Sequence, residues 1–77
     1  MKSNIEAYKE IRQELIDLDR KINSLINLIY GNKLEYLSLG TNMCSLLDIQ
    51  LNIMKSYKEV LVARICLLRE KMSKELD

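Results

Sequence analysis

The sequence predicts an all-α protein: an antiparallel hairpin of two helices, about residues 3–30 and 39–75, whose copies assemble into a homo-oligomeric helical bundle. Three observations predict it. Proline is absent and there are two glycines, Gly31 and Gly40, so few residues break a helix. Apolar residues recur at alternating steps of three and four in both halves of the chain. Finally, 48% of the 77 residues are hydrophobic. That is more apolar side chain than two helices hide against each other, in a chain too short to bury much alone. One domain spanning 1–77 is expected, with a connector at 31–38.

The first helix has a start signal. Ser3 is followed three residues later by Glu6, the spacing at which the hydroxyl accepts from the Glu6 backbone N–H and the carboxylate reaches back. Tyr8, Ile11, Leu15, Leu18, Ile22, Leu25 and Ile29 then form a heptad seam. Glu6, Glu10, Glu14 and Asp17 favour the N-terminal half, where the helix dipole welcomes negative charge. Gly31-Asn32 is expected to supply a left-handed residue that ends the helix.

In the connector, Leu34 and Leu37 are the expected anchors. Ser38 is the preferred cap of the second helix and Thr41 the alternative; Gly40 would weaken that first turn by about 1 kcal/mol relative to alanine. The second helix carries the seam Leu47, Leu51, Met54, Leu61, Ile65, Leu68 and Met72, interrupted by Lys58. At a rise of about 1.5 Å per residue it is about 54 Å long against about 40 Å for the first. A short connector makes the helices antiparallel. The second should therefore overhang, with its charged last turns from Arg69 to Glu75 in solvent.

Composition removes several function classes. Twelve basic and eleven acidic residues are interleaved to a net charge of +1, with no basic stripe, so a general DNA or RNA binder is not expected. No apolar run approaches the roughly 18 residues of a membrane span. Met1-Lys2-Ser3-Asn4 leads straight into charged helix, so no signal peptide is expected and a cytoplasmic protein is. Cys44 and Cys66 lie about 33 Å apart along one helix and read as reduced small hydrophobes, with pairing between subunits as the alternative. There is no histidine, no glycine-rich phosphate loop and no Ser or Cys nucleophile with a base beside it. The chain reads as a non-enzyme with no cofactor and no metal.

One pattern asks for a function. Gln50, Tyr57 and Arg64 sit seven residues apart within an otherwise oily stretch, on a strip about 40° wide inside an apolar arc of about 220°. Buried polar groups need partners. Two readings compete. In one, the triplet sets the register of an oligomer, and Asp19 beside the first seam pairs with Arg64. In the other, the triplet binds a ligand: tyrosine stacks on a base, arginine holds phosphate and glutamine reads an edge. Tyr8, Lys9 and Arg12 form a second set of the same kind, and Tyr30 and Tyr36 could line a pocket rim.

The string Leu46-Leu47-x-x-Gln50-Leu51-x-x-Met54-x-x-Tyr57-x-x-Val60-Leu61-x-x-Arg64-Ile65 resembles a group of small helical-hairpin proteins of crAss-like and related bacteriophages. Leu15 to Ile29 and Leu37-Ser38 fit the same pattern, and the likeness covers about residues 5–66. The chain departs from it at Leu39-Gly40-Thr41-Asn42, where that group is usually acidic. The resemblance implies a phage accessory protein expressed in bacterial cytoplasm and brings no catalytic residues. By analogy with compact helical oligomers that sequester the cyclic-nucleotide signals of bacterial immunity, it suggests an anti-defence sponge, with Gln50, Tyr57 and Arg64 completed by Tyr8, Lys9 and Arg12 of another subunit. The alternatives are a helical inhibitor or adaptor that docks on a host or phage protein, or a structural phage component.

Overall fold

The computed structural model describes residues 3–76; Met1, Lys2 and Asp77 lie outside the described residues. Three helices follow one another: α1 (Asn4–Gly31), α2 (Lys33–Leu37) and α3 (Thr41–Leu76). α1 and α3 lie side by side and antiparallel, as ties along the hairpin show. Asn4 meets Glu75 at one end, at 2.5 Å, and Asp19 meets Lys58 at 2.8 Å near the middle. The expected all-α hairpin is the observed fold.

Ser3 caps α1 as its spacing requires: the Glu6 backbone N–H donates to Ser3 Oγ at 3.2 Å. The heptad seam of α1 is its buried face, with Ile11, Leu18, Ile22, Leu25 and Ile29 all enclosed. Leu51 and Leu61 of α3 close on them, and Leu61 is fully buried. Leu15, Ile26, Leu47, Met54, Ile65 and Leu68 pack around this row.

The connector departs from expectation. Gly31 is still helical, and Asn32 is extended (φ −145°, ψ 97°), so no left-handed residue ends α1. Asn32 instead caps α2: its Oδ1 accepts from the Glu35 N–H at 3.1 Å. The connector is thus a helical turn of its own. Ser38 belongs to the end of that turn, where its hydroxyl donates to the Glu35 carbonyl at 2.6 Å. Neither Ser38 nor Thr41 caps α3. Gly40 precedes the helix with φ +92°, and its carbonyl accepts the first helical bond, from Cys44 N–H. Its glycine character serves a left-handed corner rather than weakening a helical turn.

Tyr36, not Leu34 or Leu37, anchors the connector. It is buried, whereas Leu34 is 83% exposed. Its hydroxyl lies 2.9 Å from both the Cys44 carbonyl and Asp48 Oδ1, a donation shared between them. The Cys44 thiol returns a bond to the Tyr36 carbonyl at 3.2 Å. Because α2 covers the first turns of α3, the extra length of α3 is used at that end. The expected overhang at the other end does not occur: the last turn of α3 is matched by the first turn of α1. Both cysteines are unpaired, Cys66 exposed and Cys44 half-buried.

The hairpin is a rod of 56 × 19 × 16 Å, with a radius of gyration of 17.1 Å. A compact domain of this length would have a radius of about 11–12 Å. The rod exposes 6132 Å², where a compact monomer of 9.0 kDa exposes about 4,900 Å². Among the described residues, no helix is long and apolar enough to cross a membrane.

Candidate functional site

Seven-residue spacing places Gln50, Tyr57 and Arg64 on one shoulder of α3, at the border between its α1-facing row and its solvent side. Each is exposed, and each looks onto a different stretch of α1. They stand about 10 Å apart along the axis, so the strip from Gln50 to Arg64 is about 21 Å long. In one chain the triplet is a row of three open clefts between α1 and α3, not a single pocket.

Tyr57 occupies the middle cleft, of about 440 Å³, with Glu10, Gln13, Glu14, Asp17 and Lys21. Its hydroxyl donates to Glu14 Oε1. Three carboxylates around one tyrosine make this stretch hospitable to cations and hydroxyls, not to phosphate. Gln50 shares a cleft of about 390 Å³ with Arg20, Lys21, Ser24 and Leu28. Its amide makes one weak contact, to Met54 Sδ at 3.9 Å, and so stays available for a ligand edge. Arg64 lies in a cleft of about 230 Å³ with Ala7, Ile11, Leu67, Leu68 and Lys71. The strip is therefore basic at both ends and acidic in its centre.

Arg64 does not pair with Asp19. Lys58, the residue that interrupts the α3 seam, does so at 2.8 Å. The antiparallel register puts Asp19 opposite Lys58 and Arg64 almost two turns further on, opposite Ala7 and Ile11. The Lys58–Asp19 pair is 45% and 40% exposed, which limits it to a minor contribution.

The second set is not brought to the first. Helical phase puts Tyr8 and Arg12 on the flank of α1 that carries Asp19, opposite the flank of Glu14 and Lys21, and turns Lys9 outward. Ala7 and Ile11, rather than Tyr8 and Arg12, line the Arg64 cleft. Tyr30 and Tyr36 do line a cleft of about 370 Å³ with Ile29, Lys33, Leu37 and Asp48. Burial, then the bond and charge of Asp48, push the Tyr36 hydroxyl well above the ordinary tyrosine range, so it stays protonated there.

Sequence reasoning missed four neighbours of the strip: Glu14, Arg20, Lys21 and Lys71. Lys71 was within reach, since it continues the seven-residue repeat 50, 57, 64. The other three become neighbours through the hairpin register, which no spacing within one helix specifies. No group of three or more His, Cys, Asp or Glu that could hold a metal occurs among the described residues.

A family model described as Sequestin matches residues 6–67, a span that contains the whole strip, the α1 seam and the α3 seam as far as Ile65. No curated protein and no solved structure matches the chain.

Proposed function

The chain belongs to the Sequestin family, and on that premise we propose that it is a non-enzymatic phage protein that sequesters a cyclic-nucleotide-type immune signal between its subunits. The family name fits a sequestering role. The observation that carries the reading is the α3 strip: a stacking face at Tyr57, an exposed amide at Gln50 and guanidinium and ammonium groups at both ends, beside exposed apolar surface. A negatively charged, flat ligand finds its phosphate partners at Arg64 with Lys71, or at Arg20 with Lys21. The central carboxylates restrict phosphates to those ends. Tyr8, Lys9 and Arg12 lie on the other flank of α1 within one chain, so they would reach a ligand only from another copy. The bacterial cytoplasm is where such a protein works.

Titration calorimetry with cyclic di- and trinucleotides and cyclic ADP-ribose isomers tests the proposal. At least one should bind, and Arg64→Gln should weaken it at least tenfold, the scale of a charge-assisted phosphate bond of about 1.5–3 kcal/mol. Silence across the panel would sink the reading. A second reading, a helical inhibitor or adaptor for a host or phage protein, is favoured by the row of exposed Leu and Ile on α3. A protein retained in stoichiometric amount from infected-cell lysate, with no bound small molecule, would select it.

A further inference from the structure

α3 carries a second apolar seam that α1 does not cover. Leu46, Ile49, Ile53, Ser56, Val60, Ala63 and Leu67 alternate steps of three and four, the spacing of a coiled-coil face. All seven are exposed, Leu46 at 62%, Ile53 at 64% and Leu67 at 59%. The inner seam of α3 faces α1, and this outer one lies over 100° around the helix. The Gln50, Tyr57 and Arg64 strip runs between the two. On α1 the exposed large apolar residues are few and scattered; Leu34, Leu37 and Leu39 are exposed at the connector, and along the length of the rod the longest exposed apolar row is this face of α3.

We infer that this face is covered by the same face of a second copy, running antiparallel, and that the polar strips of the two copies then form one shared site. The inference extends the sequestering reading above, because it says which surface completes the site.

Area supports a self-partner. The five large residues of the seam expose about 500 Å² per copy, so a twofold pair would hide about 1,000 Å², the size at which a specific interface begins. The surplus exposure of the rod, about 1,200 Å² per copy beyond a compact monomer, is more than the seam alone hides per copy, so the rod has ample surface to give to a partner.

Size complementarity sets the direction. The seam alternates bulky Leu46, Ile53, Val60 and Leu67 with a row in which two of three positions, Ser56 and Ala63, are small. In an antiparallel pair each row faces the other, so the small residues receive bulky ones. In a parallel pair Ser56 and Ala63 would meet their own kind and leave gaps. The parallel pair would gain a Glu59–Arg64 contact across the rim, but an exposed ion pair contributes little. Antiparallel pairing also places the two strips edge to edge. Tyr57 lies beside Tyr57 of the second copy near the twofold axis, and each Arg64 beside the other copy's Gln50. One chain brings Arg64 to one end of its strip and Arg20 to the other; in the pair each Arg64 joins the Gln50 and Arg20 end of the other copy, so two arginines converge on each end of the shared site.

The full-length chain tests this in two measurements. Native mass spectrometry and sedimentation should give a dimer or a multiple of it for the wild type. Ile53→Glu with Val60→Glu should reduce the mass to the 9.0 kDa monomer. Both positions are exposed in the hairpin, so helical content should persist. Leu34→Glu, on the equally exposed connector, should leave the assembly intact. An assembly unchanged by the double substitution, or a wild type that is monomeric at tens of micromolar, overturns the inference.

Direction is read from nitroxides at Ser45→Cys in a Cys44→Ser, Cys66→Ser background. Antiparallel pairing predicts a separation of about 30–40 Å from the helical rise; a separation under about 20 Å means parallel pairing and overturns it. The ligand panel above is read separately. An antiparallel dimer that binds nothing removes the sequestering reading and keeps the seam; a binding-competent monomer does the reverse.

Discussion

Tyr36 shows how much one side chain can decide. It is buried where Leu34 and Leu37 are not, and one hydroxyl ties α2 to two points on α3. Its neutral form is the one the fold accommodates, because burial and the adjacent Asp48 both oppose the phenolate. Free tyrosine loses its proton near pH 10. Above that pH the unfolded chain releases a proton that the folded chain keeps, so stability falls as pH rises past about 10. Tyr36→Phe should lower the melting temperature at neutral pH, through loss of the bonds to Cys44 and Asp48. It should also flatten the alkaline decline measured by circular dichroism. An equal decline in both proteins would assign that decline to other groups.

At the scale of elements, the two glycines have opposite roles, although they look alike in the sequence. Gly31 is helical with open space where a Cβ would sit, so Gly31→Ala should stabilise the hairpin by about 0.5–1 kcal/mol. Gly40 also has open space, but its φ of +92° is strained for any L side chain. Gly40→Ala should therefore cost about 1–2 kcal/mol from backbone strain alone. Chemical denaturation of the two variants reads the pair; shifts of the same sign would contradict the connector geometry. Leu61 belongs to the same scale. It is a fully buried side chain of the core between α1 and α3, and Leu61→Ala should cost about 2–5 kcal/mol. Val60→Ala, one residue away but 53% exposed, should cost the isolated hairpin far less.

The whole molecule is a rod with little interior. Its core is a single row of side chains between two helices, so a lone hairpin has modest stability for its surface. If copies share the outer α3 face, folding and association are coupled, and the apparent stability follows concentration. The melting temperature of the wild type should rise between low-micromolar and hundred-micromolar protein. That of the Ile53→Glu, Val60→Glu variant should not. Scanning calorimetry over that range is the check, and a concentration-independent wild type would mean that the hairpin stands alone.

The order of elements was legible because it depends on local rules. The Ser3 cap, the two inner seams and the wide apolar arc of α3 follow from helical periodicity, which acts on residues three and four apart. The Gln50, Tyr57 and Arg64 strip was visible for the same reason. What faces that strip was not. Lys58 rather than Arg64 meets Asp19, three carboxylates and a single lysine surround Tyr57, and Tyr8 and Arg12 fall on the far flank. These depend on the axial register of α1 against α3. A helical connector at Lys33–Leu37, capped by Asn32 and turned at Gly40, sets that register. Periodicity decides which face of a helix is buried. The hinge between helices decides which residues are opposite one another, and that information exists only once the chain has folded back on itself.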